Sequence, residues 1–79
     1  MTDEIFIGIV FVQLSEYFGK YEITFQFWGE GQHIAFIEKD GVDLWNGGKS
    51  FDTPLDAMVA VRNYLDRINN KKREYNPNF

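Results

Sequence analysis

Thr53-Pro54-Leu55-Asp56 constrains this 79-residue chain more than any other four residues. Thr53 suits an N-cap, because its side-chain oxygen can accept from a backbone N–H of the first turn. Pro54 fits the first helical position, where no N–H is needed. Asp56 then places a negative charge at the positive end of the helix dipole. Beyond this start, Met58, Val61, Leu65 and Ile68 recur at spacings of three, four and three. Leu55 lies at one edge of that stripe and Ala57 and Tyr64 at the other, whereas Asp56, Asn63, Asp66 and Arg67 are expected to face water. The pattern predicts a helix over about residues 54–70 with one apolar stripe, and therefore one docking surface. Lys71, Lys72 and Arg73 complement its C-terminal end, and 74–79 reads as a loose tail.

The fifty residues ahead of this helix read as strands. Segment 4–14, EIFIGIVFVQL, is apolar on both alternating faces, with Phe6, Val10, Val12 and Leu14 on one and Ile5, Ile7, Ile9 and Phe11 on the other. A strand of this kind needs cover on both sides. A second copy could supply it, which makes Ile5, Ile7, Ile9 and Phe11 a candidate homodimer seam, with Gly8 marking a bulge or a close backbone approach. After a connection over 15–20, YEITFQFW at 21–28 alternates cleanly. Tyr21, Ile23, Phe25 and Phe27 point one way and Glu22, Thr24 and Gln26 the other. Gly29-Glu30-Gly31-Gln32 forms a hairpin loop into a strand at 33–38. Asp40-Gly41 is a type I′ signal leading to a short strand at 42–45. The expected fold class is α+β, one domain over 1–79, with an antiparallel sheet of three to four strands packed against one C-terminal helix (ββββα).

The chain has no cysteine, which excludes disulfides and thiolate metal sites and is compatible with a reducing compartment. The longest apolar run, Ile5 to Val12, is far shorter than the roughly 18 residues of a membrane span. Met1-Thr2-Asp3-Glu4 is acidic where a secretory signal is basic, so a cytoplasmic location is expected. The net charge of −4 is uneven: residues 1–50 hold eight acids against Lys20, Lys39 and Lys49, and residues 51–79 hold four against five bases. An acidic sheet half repels phosphate backbones and suits a basic protein surface.

Motifs for catalysis and cofactor binding are incomplete. Gly48-Lys49-Ser50 ends like a P-loop, but Asp43 stands where its first glycine belongs and no helix starts at the lysine. Gly29-Glu30-Gly31 lacks the third glycine of a dinucleotide fingerprint. His33 is the sole histidine, and Glu38, Asp40 and Asp43 round one hairpin miss calcium-loop spacing. Ser15, Glu16 and His33 form no recognisable nucleophile arrangement. Neither catalysis, a cofactor nor a resident metal is expected.

Aromatic residues crowd the sheet half: Tyr17, Phe18, Tyr21, Phe25, Phe27, Trp28, Phe36, Trp45 and Phe51 are more rings than one helix face covers. Trp28 follows the polar face of its strand and Trp45 ends the last one, so either could anchor an interface. Strands followed by a helix that opens Thr53-Pro54-x-Asp56-Ala57-Met58 resemble many short, acidic, cysteine-free proteins of bacteriophages and mobile elements, including anti-CRISPR inhibitors. The resemblance implies a non-catalytic protein-binding module that blocks a basic nucleic-acid site on a larger host protein or nucleoprotein complex. Glu22, Glu30, Glu38, Asp40 and Asp43 would steer it electrostatically, and Trp28 and Trp45 would anchor it. The same order is also similar to dimeric single-stranded-DNA binders of the Whirly type, which stack bases on aromatic side chains and use basic ones for affinity. The aromatics suit that alternative and the acidic charge opposes it. A structural or accessory subunit is the third reading.

Overall fold

A computed structural model describes residues 2–71 and runs α1 (Thr2–Ser15), β1 (Glu22–Phe27), β2 (His33–Lys39), β3 (Val42–Trp45), α2 (Pro54–Ile68). The class is α+β, but the order is αβββα and not ββββα. Segment 4–14 is helical. It is apolar all round, so its periodicity does not separate strand from helix, and the remaining discriminator is length: eleven residues exceed a usual strand and suit a helix. As a helix it sets Phe6, Val10, Leu14 and, just past its end, Tyr17 on one side at spacings of four, four and three. Val10, Leu14 and Tyr17 are buried and Phe6 packs against them. Gly8 is neither a bulge nor a close approach; it is an exposed helical residue whose added Cβ would meet nothing within 4 Å among the described residues beyond its chain neighbours and its own helix backbone.

The three strands form an antiparallel meander in the order β1-β2-β3. The β2–β3 turn is the expected one, with Asp40 at φ 54° and Gly41 at φ 79°, both in the left-handed region that type I′ requires. His33, Ala35 and Ile37 of β2 are buried and pair with Phe27, Phe25 and Ile23 of β1. One face of the sheet therefore carries the core. A register shift after Ile37 sets Trp45 opposite Ile37 and Asp43 opposite Glu38, leaving Leu44 as the extra residue. The shift lets Trp45 turn to the core while Asp43 turns away. The chain then returns along β2, where the Phe51 N–H donates to the His33 carbonyl at 2.7 Å, before entering α2. Gly47 makes this return possible. It sits at φ 74°, and a Cβ there would lie 3.1–3.3 Å from the Phe51 and Trp45 rings.

Helix α2 begins as expected: Thr53 caps it, its side-chain oxygen accepting from the Asp56 N–H at 3.0 Å, with Pro54 in the first turn. Its packing is broader than one stripe. It lies on β2 and also against α1, burying Leu55, Ala57, Met58, Val59, Val61, Arg62, Leu65 and Asp66. Asp66 thus faces inward, contrary to the sequence expectation. Tyr17 donates to Asp66 Oδ1 at 2.6 Å, Arg62 Nη1 donates to Gln13 Oε1 at 2.8 Å, and Arg62 Nε lies 3.9 Å from Asp66 Oδ2. Arg62 is fully buried, so this network fastens α1 to α2 from both sides. Lys71 adds an ion pair to Glu16 at the same end. The proposed tail over 74–79, with Lys72 and Arg73, lies outside the described residues.

Removing one member of a buried ion pair strands the other. Asp66→Ala is predicted to lose about 3–5 kcal/mol in urea unfolding followed by circular dichroism. Tyr17→Phe is predicted to lose about 1.5–3 kcal/mol, as for a hydrogen bond to a charged group. Gly47→Ala, blocked by both backbone and ring contacts, is predicted to cost more than about 1 kcal/mol in the same assay.

Candidate partner-binding surface

Helix α2 lies on one face of the sheet and α1 joins it in the same core through Val10 and Leu14, so the alternation of the strands hands the other face to the opposite set of side chains. On β1 these are Glu22, Thr24 and Gln26, all exposed; on β2 they are Ile34, Phe36 and Glu38, each half-buried; on β3 Asp43 joins them. Glu22 is the register partner of Glu38, and Glu38 of Asp43. The result is a row of three acids, one per strand, at one end of the uncovered face. Asp40, at the tip of the adjoining turn with φ 54°, extends it. Like charges directly opposite each other weaken a sheet. Side-chain hydrogen bonding to Asp43 and the Asp43 charge, helped by desolvation and the Glu22 charge, hold the Glu38 carboxyl above the ordinary range. Lys39 borders the row, its ammonium 5.3 Å from the centroid of the Tyr21 ring.

The seven expected partner residues do not form one patch. Glu22, Glu38, Asp40 and Asp43 gather at one end. Trp28 and Glu30 lie at the other, past the far end of β1, Trp28 about 20 Å from Glu22 along the strand. Trp28 is 68% exposed and follows Glu22, Thr24 and Gln26 in the alternation, with its backbone N–H donating to the Gln32 carbonyl. Glu30 caps that hairpin between two glycines, all three residues at positive φ. Trp45 is placed differently from Trp28. Its indole stacks on Tyr64 of α2 at 5.7 Å and on Phe51 at 6.5 Å, so it closes the core edge. Phe36, counted in the sequence only among the sheet-half aromatics, and Ile34 are the apolar centre of the open face. Their position would have been legible from alternation once His33, Ala35 and Ile37 were assigned inward.

Of the seam expected on the first segment, Ile5 and Phe11 are exposed, at 62% and 53%, whereas Ile7 packs against the core and Ile9 is half-buried. Lys49 and Ser50 line a shallow groove beside the start of α2, but Asp52 and Asp56 line it too, which disfavours phosphate. Among the described residues no group of three or more His, Asp or Glu is arranged to hold a metal ion. None of the described helices is long and apolar enough to cross a membrane. Comparison with family models, curated proteins and solved structures finds no match to the chain.

Because Glu38 is raised in the folded protein, its contribution to stability is full below the ordinary carboxylate value and is lost as pH rises through the raised one. Glu38→Gln is therefore predicted to raise Tm at neutral pH. The gain should vanish on acidification below the ordinary carboxylate range, which a calorimetric pH series would follow.

Proposed function

We propose that the protein is a non-catalytic binding module whose uncovered sheet face docks on a basic protein surface. Its biological use would be that of a small phage or mobile-element inhibitor or adaptor, occupying a basic nucleic-acid-binding site on a larger host complex. The observation that carries this reading is the cross-strand row Glu22, Glu38 and Asp43 on the face no helix covers. With all three ionised, these facing carboxylates repel one another, and a cationic partner would relieve them. Ile34 and Phe36 give the same face an apolar centre, and Trp28 offers an exposed anchor at its far end.

The single-stranded nucleic-acid alternative rests on four strands followed by a helix, an order this chain does not have. The acid row also meets phosphate with the wrong sign.

Affinity capture from nuclease-treated host lysate, comparing wild type with Glu22→Lys/Asp43→Lys, tests the proposal. The expected result is a basic protein retained by wild type, sensitive to salt and weakened on the order of 100-fold by charge reversal. Equal retention by both proteins, or recovery of nucleic acid alone without nuclease, would overturn it. Trp28→Ala is expected to weaken the same capture by tenfold or more, about 1.4 kcal/mol, without lowering Tm.

A further inference from the structure

Helix α1 is apolar on the side turned away from α2 as well as on the side turned toward it. Ile5, Gly8, Val12 and Ser15 follow one another there at spacings of three, four and three, the spacing of a two-helix seam. All four are exposed, Val12 most among the large ones at 68%. Phe11 flanks the stripe and meets Phe18 edge to face at 5.5 Å. The Ser15 hydroxyl donates to the Val12 carbonyl within its own helix, so it asks nothing of a partner. No charge occurs from Ile5 to Leu14, which makes this stripe the wrong chemistry for the basic surface that suits the sheet.

We infer that the occupant is a second copy of this chain, packed through α1 about a two-fold axis with the helices antiparallel. Antiparallel pairing about the middle of the stripe sets Val12 of each copy over Gly8 of the other, and Ile5 over Ser15. The most exposed valine then enters the one position of the stripe without a side chain, where a Cβ would meet no described residue within 4 Å beyond its chain neighbours and the backbone of its own helix. The exposed parts of Ile5, Phe11, Val12 and Phe18 amount to an area on the order of 400–500 Å² per copy. Full cover of these side chains in both copies buries about 800–1,000 Å², the size of a small, transient interface. The dimer is accordingly weak, and it leaves both acidic sheet faces available. It does not depend on what the sheet binds.

Sedimentation equilibrium of the purified chain through the micromolar range, alongside Gly8→Leu and Val12→Lys, decides the matter. Gly8→Leu fills the hole without touching the monomer, and leucine favours a helix over glycine, so the variant folds with equal or greater helix content. The expected result is a dimer mass for wild type and at least about tenfold weaker association for each variant, with unchanged circular dichroism. A wild-type monomer mass throughout overturns the inference, whether or not the protein floats with phosphatidylcholine vesicles. So does a dimer that both variants preserve.

Discussion

The architecture depends on a buried polar clamp. Asp66 accepts from Tyr17, Arg62 donates to Gln13, and the two charged groups face each other one helical turn apart on α2. Such a network is expensive to desolvate and costly to break, so it selects one arrangement of the two helices over near alternatives. With α1 held against α2, and α2 lying on β2, both helices are committed to the same side of the sheet. A chain of 79 residues has nothing left among its described elements to cover the other side. The bare sheet face follows from the clamp, and the acids that occupy it follow from the strand alternation.

Local signals in the sequence were strong wherever backbone chemistry is local. Thr53, Pro54 and Asp56 mark the start of α2, and Asp40-Gly41 marks the β2–β3 turn, because a cap and a left-handed turn are decided by a few adjacent residues. The first segment departs from its strand expectation because isoleucine, valine and phenylalanine favour strands and an all-round apolar run hides its own period. Its length is the signal that favours a helix. The inward Asp66 and Arg62 were not legible at all: the partners that make them tolerable, Tyr17 and Gln13, each stand 49 positions away. A polar residue on a helix reads as solvated until its distant partner is known.

Site residues followed the same division. Cross-strand pairing turned the scattered acids Glu22, Glu38 and Asp43 into a row, which no spacing along the chain would announce, and the register shift at Leu44 was needed to bring Asp43 into it. That shift also separated Asp43 from Trp45, which alternation alone would have placed on the same face. Trp45 became part of the core edge and Trp28 stayed exposed. Two surfaces of different character result. The sheet face offers charge, which reaches across a Debye length and fades with salt; the outer stripe of α1 offers apolar area, which does neither.

The central claim is that the uncovered sheet face is the recognition surface. It is tested most directly by titrating the isotopically labelled protein with the basic partner retained in nuclease-treated capture and following backbone amide shifts by NMR. The account predicts that perturbations gather on residues 22–26, 34–38 and 43 and at Trp28, and diminish as salt is raised. Perturbations confined to α1 and the outer side of α2, with the sheet amides unmoved, would contradict it.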